Sequence, residues 1–165
     1  MSANNVNILN NSGIQLCKDA CVVVVRTEWN AATVDALEAG CTKVLIELGV
    51  PYKVITVPGA FEIPFSIKAY WDAFKYKDDK PHAFIALGSV LRGDTPHFDY
   101  VCKAVTDGVL HLNLCLPVPT IFGILTVDNQ DQANERIGGK HGHKGEEAAI
   151  TALKMIALKK SFTNI

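Results

Sequence analysis

Four short apolar runs, separated by segments of helical period, limit what this chain can fold into more than any other feature. They cover 21–25 (CVVVV), 52–57 (YKVITV), 83–90 (AFIALGSV) and 120–127 (TIFGILTV). Each has strand length and is rich in β-branched residues. Two are nearly continuous apolar runs, as expected of strands covered on both faces. The run at 52–57 alternates more and belongs nearer an edge. Between the runs, 31–48 places Val34, Leu37, Cys41, Val44, Leu45 and Leu48 on one helical stripe, and Gly49 and Pro51 end it. Residues 61–74 carry a second helical pattern, with Pro64 in the first turn. A third runs from His97 to about residue 112, with Val101, Val105 and Leu112 on one face. A short helix is expected over 130–136, and a last one over 146–158 aligns Ala149, Ala152, Leu153 and Ile156.

Strands alternating with helices imply parallel pairing through right-handed crossovers. The fold class expected is α/β: a three-layer α/β/α sandwich on a central four-stranded parallel sheet, flavodoxin-like in type. With 165 residues there is room for one domain, assigned to 14–165, with 1–13 as an N-terminal arm. A chain of this length buries about 70% of the surface it exposes when unfolded, so its core needs no disulfide or metal. Sixteen Lys and Arg against 17 Asp and Glu leave a net charge of −1. Nothing in that balance suggests nucleic acid or an anionic membrane as partner. Cys17, Cys21, Cys41, Cys102 and Cys115 are odd in number and mostly sit among apolar neighbours, which suits reduced thiols in a cytoplasmic protein. The Asn-rich start does not read as a signal peptide, and no apolar run reaches membrane-spanning length.

In open parallel sheets, ligands bind beyond the carboxyl ends of the strands. That rule selects four loops, at 26–30, 58–62, 88–97 and 126–131. Trp29, between a strand and a helix, can stack on a flat heterocycle or pack on the domain rim. Gly59 permits a close backbone approach or an unusual turn. Glu62 falls at a helix start, where it can bind a ligand or cap the helix. The segment from Gly88 to His97 is the most informative. Asp94 or Thr95 can cap the helix that follows, Pro96 is tolerated in its first turn, and its free amides suit a phosphate. His97, about one turn away, can pass protons in either direction near neutral pH. The glycine spacing matches neither a P-loop nor a dinucleotide fingerprint. Arg136 can grip phosphate or remain a solvated surface residue. His141 and His143, two apart and without a third ligand, read as a glycine-rich entry to the last helix rather than as a metal site.

Several of these segments match one family. VPGAFEIP at 57–64, GSVLRGDTPHFDYV at 88–101, FGILT at 122–126, QANERIG at 132–138 and HKGEEAA at 143–149 resemble lumazine synthases, in that family's order and spacing. The resemblance covers roughly residues 15–158. It implies condensation of 5-amino-6-(D-ribitylamino)uracil with 3,4-dihydroxy-2-butanone 4-phosphate, without cofactor or metal. Trp29 matches the aromatic that stacks on the pyrimidine. Ala60, Phe61 and Glu62 match the loop that holds the ribityl chain, and Ser89, Val90 and Leu91 the segment whose backbone reads the uracil edge. Asp94 and Thr95 match the pair whose amides hold the phosphate, and His97 the proton-transfer histidine. Phe122 and Arg136 match residues supplied by a neighbouring subunit, and Lys144 a nearby basic position. The resemblance further implies a homopentamer with shared active sites, closed in some members into an icosahedral capsid of 60 subunits. A non-catalytic flavin- or lumazine-binding module would share the fold and Trp29, but storage needs neither His97 nor Arg136.

Overall fold

Val22, Val23, Val24 and Val25 are fully buried, which forces their strand into the middle of a sheet covered on both faces. The computed structural model describes residues 20–163; the arm at 1–13 and Cys17 lie outside them. β1 (Val22–Thr27) leads into α1 (Ala31–Glu47), β2 (Tyr52–Val57), a 3₁₀ turn (Ala60–Glu62) and α2 (Ile63–Phe74). Then follow β3 (Ala83–Leu91), α3 (His97–Cys115), β4 (Thr120–Val127) and α4 (Gln130–Asn134). A small hairpin, β5 (Ile137–Gly139) and β6 (Gly142–His143), precedes α5 (Lys144–Thr163).

The main sheet has the order β2-β1-β3-β4, and every pairing in it is parallel. This is the expected three-layer α/β sandwich. Alternation along β1 and β3 divides the core. Val22, Val24, Ile85 and Leu87 face α1 and α5, together with Leu37, Leu45, Ala149 and Leu153. Val23, Val25, Phe84 and Ala86 face α2 and α3, with Ile63, Ile67, Val105 and Val109. Each fully buried valine contributes roughly 1.5–3 kcal/mol, so a surface position for β1 would forfeit most of that core. β2 is an edge strand, as its alternation predicts, with Lys53, Val54 and Thr56 exposed.

Four details differ from the sequence reading. The hairpin β5–β6 replaces a plain loop; its strands, three residues and two, are too short for any periodicity to show. α4 stops at Asn134, and α5 continues to Thr163. Neither Asp94 nor Thr95 is the N-cap of α3, because Pro96 holds that position without a side-chain bond. The thiols are less uniformly buried than their neighbours suggest: Cys21 and Cys41 are buried, but Cys102 is half-buried and Cys115 exposed. Burial pushes the Cys41 thiol up to about 12, which keeps it protonated and inert.

Helices α1 and α5 cross closely because the second residue of α5 is glycine. A Cβ on Gly145 would lie 2.0 Å from the Leu37 carbonyl oxygen. Backbone cannot retreat as a flexible side chain can, so the helices would have to separate. Gly145→Ala is therefore expected to destabilise the fold by about 2 kcal/mol or more, despite alanine's better helix propensity. A urea midpoint equal to or above that of the parent protein would contradict this packing.

Candidate active site

The carboxyl ends of β1, β2 and β3 open into one cleft of about 490 Å³. Thr27, Trp29 and Asn30 line it from the end of β1, and Gly59, Ala60, Phe61 and Glu62 from the end of β2. Ser89, Val90 and Leu91 form the wall at the end of β3, with His97 and Val101 from the start of α3. Of the residues singled out in the sequence, Trp29, Ala60, Phe61, Glu62, Ser89, Val90, Leu91 and His97 thus meet in one place. Thr27, Asn30 and Val101 join them without having been assigned a part in the site.

The loops are tied together by backbone. Glu28 N–H donates to Val57 O at 2.9 Å and Trp29 N–H to Pro58 O at 3.3 Å. These bonds set the Trp29 loop against the Gly59 loop. A Cβ on Gly59 would stand 3.0 Å from a Glu62 carboxylate oxygen and 3.9 Å from Trp29 Cδ1. Its φ of −144° is ordinary extended backbone, so glycine is there for space rather than for an unusual turn. Glu62 sits at the N-cap of α2 but makes no capping bond with its side chain. Its carboxylate is left facing the cleft. Trp29 and Phe61 are 73% and 64% exposed, which is unusual for rings this large and leaves their faces free to stack.

The loop from Arg92 to Pro96 carries the start of α3. Arg92 bonds Asp128 at 2.8 Å and Asp99 at 3.2 Å, and lies 4.1 Å over the Phe98 ring. The guanidinium holds the Asp128 carboxyl below its usual range, and is itself occupied in pinning the loop to β4. Thr95 Oγ accepts weakly from His97 N–H at 3.4 Å. Asp94 and Thr95 are exposed beside the cleft rather than lining it, and a Cβ on Gly93 would meet open space. At the start of α3, Asp99 N–H and Tyr100 N–H donate to Pro96 O, so the exposed backbone of Gly93, Asp94 and Thr95, rather than the helix's own first turn, faces solvent there.

Phe122 and Lys144 lie elsewhere. They line a second hollow of about 520 Å³ along the free edge of β4, with Glu147, Thr151 and Met155. Lys144 Nζ is bound to both carboxylate oxygens of Glu147 at 2.8 Å, so its charge is already matched. Arg136 is next to this region, because Lys144 N–H donates to its carbonyl at 2.8 Å. One arm of its guanidinium bonds Gln132 O at 2.7 Å. The His141–His143 segment is structural: His141 lies 3.4 Å from Glu135, and the His143 ring fills the space beside Gly40. Among the described residues, no three His, Cys, Asp or Glu side chains group as metal ligands, and no helix is long and apolar enough to cross a membrane.

A cleft at the carboxyl edge of a parallel sheet, with exposed aromatic rings, a free carboxylate and an imidazole at a helix start, defines a doubly wound α/β protein with a cleft of small-molecule size. Comparison with known proteins narrows this class. The 6,7-dimethyl-8-ribityllumazine synthase family matches residues 19–160. The 6,7-dimethyl-8-ribityllumazine synthase of Cytophaga hutchinsonii is 48% identical over 137 residues, covering 81% of this chain and 83% of its own. That of Porphyromonas gingivalis is 45% identical over 146 residues, covering 87% and 88%. That of Christiangramia forsetii is 40% identical over 160 residues, covering 95% and 93%. The chain belongs to the 6,7-dimethyl-8-ribityllumazine synthase family, a family of transferase enzymes.

Exposure makes a simple forecast. Trp29→Ala and Phe61→Ala should each change unfolding free energy by no more than about 0.5 kcal/mol, as surface substitutions do. A loss above roughly 2 kcal/mol in denaturant titration would show rings packed in the fold, and so unavailable to a ligand.

Proposed function

We propose that this chain condenses 5-amino-6-(D-ribitylamino)uracil with 3,4-dihydroxy-2-butanone 4-phosphate to give 6,7-dimethyl-8-ribityllumazine, phosphate and water, the condensation of riboflavin biosynthesis. Family membership supports the reaction. The single observation that carries the site is the convergence of His97 with Trp29, Glu62 and the Ser89–Leu91 wall in one cleft. Trp29 stacks on the pyrimidine, the backbone of Ser89, Val90 and Leu91 reads its edge, and Ala60, Phe61 and Glu62 hold the ribityl chain. The amides of Asp94 and Thr95, at the positive end of α3, hold the phosphate. The Asp94 carboxylate stays in solvent.

The steps follow from that placement. The 5-amino group attacks the ketone, and loss of water gives an imine. His97 moves a proton at this stage, and the phosphate then leaves by elimination. The enol tautomerises, and attack by the ribityl-bearing nitrogen on the remaining carbonyl expels a second water and closes the ring. Aligning two reactants can lower the barrier by roughly 7–11 kcal/mol, while a positioned acid–base adds about 10²–10⁴-fold. Orientation therefore outweighs the imidazole, and His97→Ala should slow turnover without abolishing it.

We further propose that the site is completed by a second copy. Phe122, Arg136 and Lys144 flank the free edge of β4, away from the cleft of their own chain. Packed against a neighbour, that edge would bring Phe122 beside the bound ring and Arg136 to the phosphate, with Lys144 and its Glu147 partner behind. The assembly is a homopentamer closed by this contact, and a 60-subunit capsid would join twelve such rings through further contacts between pentamers. Residues 14–165 act as one domain with 1–13 as an arm, in the cytoplasm, where free thiols such as Cys115 stay reduced.

The direct test mixes protein with both substrates and follows lumazine fluorescence; absence of product from folded protein would defeat the reading. Replacing His97 by alanine should cost about 10²–10⁴-fold in kcat; complete loss at saturating substrate would show that orientation contributes less than claimed. Arg136→Ala should raise the KM for the phosphate-bearing substrate at least tenfold, by about 1.4 kcal/mol or more. An unchanged KM would remove Arg136 from the site.

A further inference from the structure

We infer that Asn30 is a positioning residue, whose side-chain amide stands in for a missing strand partner and fixes the end of β3 against the Trp29 loop. The inference rests on the reading of the cleft given above. Its starting point is a mismatch of strands. β1 pairs with β3 only as far as Arg26↔Leu87, whereas β3 runs on beside β4 to Leu91↔Val127. On its β1 side, the stretch from Gly88 to Leu91 therefore has no strand to bond with among the described residues. Asn30 Nδ2 donates to Ser89 O at 2.7 Å, across 59 residues of sequence. It supplies there the hydrogen bond that a longer β1 would have made.

Two local features show that the position is built around this bond. Asn30 is the one non-glycine residue with positive φ among the described residues, at φ 57° and ψ 43°. Side chains other than glycine avoid that region, and asparagine tolerates it better than most. Asn30 is also the N-cap of α1, where an asparagine usually accepts from the helix's free amides. Here its side chain makes no capping bond. The residue adopts a disfavoured backbone and gives up its usual partner, and the amide reaches Ser89 instead. The Ser89 hydroxyl is buried, at 4% exposure, and has no hydrogen-bond partner among the described residues. The segment is thus held through its carbonyl.

The consequence concerns one substrate more than the other. Trp29 and the Ser89–Leu91 wall grip the pyrimidine from a loop and from the end of β3, and the Asn30 amide links the two beyond the end of the β1–β3 ladder. The phosphate lies at the start of α3, which the Arg92 ion pairs hold independently. Loosening the Asn30 bond should blur the pyrimidine site and leave the phosphate site intact.

Asn30→Gly keeps the left-handed backbone without steric cost and deletes the amide. Asn30→Asp keeps the size but turns an oxygen toward the Ser89 carbonyl. Both variants should raise the KM for 5-amino-6-(D-ribitylamino)uracil about tenfold, as loss of a well-placed hydrogen bond does. The KM for the butanone phosphate should stay within about twofold, and the thermal midpoint of Asn30→Gly within a few degrees. Wild-type pyrimidine KM in both variants, or equal rises in the two KM values, would overturn the inference. So would a normal Asn30→Gly beside an impaired Asn30→Ala, which would assign the effect to backbone conformation alone. Binding of the pyrimidine by itself, followed through tryptophan fluorescence, reads the same tenfold change without turnover. A parent protein that binds the pyrimidine but makes no product contradicts the functional reading and leaves Asn30 to be judged on binding; one that does not bind it contradicts both.

Discussion

β3 is longer than the strand beside it, and the cleft exists because of that difference. Its first residues are hydrogen-bonded on both sides and buried on both faces, so the strand cannot shift. Its last four extend past Leu87 with β4 on one side only. Backbone groups are thereby delivered, rigidly, to the mouth of a hydrophobic sandwich. Loops alone would place them less reproducibly, because binding groups are held best when their support is packed. The other walls are fastened to this one through Asn30 and through the Trp29–Pro58 backbone bond.

The same geometry leaves one edge of the sheet open among the described residues. Among them β4 pairs with β3 alone, which frees this edge, and Phe122 stands on it partly exposed. A free edge carrying apolar side chains invites another chain. Arg136 and Lys144 lie beside that edge and do not line the cleft that holds His97. On the functional reading above, one contact between copies covers the edge and brings a cation to the phosphate. Assembly and catalysis then share a cause, since the surface that must be hidden is the surface that carries the missing residues.

Much of this was legible in the sequence, for definite reasons. Nearly continuous apolar runs at 21–25 and 83–90 read as strands covered on both faces, and the alternation at 52–57 as a strand nearer an edge, which is where β1, β3 and β2 lie. Once the strands were placed, the rule of carboxyl-end loops selected Trp29, Phe61, Glu62 and His97 together. Asn30 escaped notice because an asparagine before a helix reads as an ordinary cap; only the coordinates show its amide turned to a residue 59 positions away. The hairpin at Ile137–His143 was invisible because strands of three and two residues have no period. Asp94 and Thr95 read as caps because both residue types favour that position, yet Pro96 holds it. Phe122, Arg136 and Lys144 could be assigned only by resemblance, since no rule of single-chain folding places a residue in another chain's cleft.

The sharing of sites can be measured by complementation. His97→Ala and Arg136→Ala chains, each weak alone at a low concentration of the butanone phosphate, are co-expressed and purified as mixed oligomers. At equal mixing, roughly a quarter of subunit seams pair an intact His97 with a neighbour's intact Arg136. Shared sites predict recovery of about that fraction of wild-type activity. Activity no greater than the average of the two variants assayed separately would mean that each chain carries its own complete site, and would contradict the central claim.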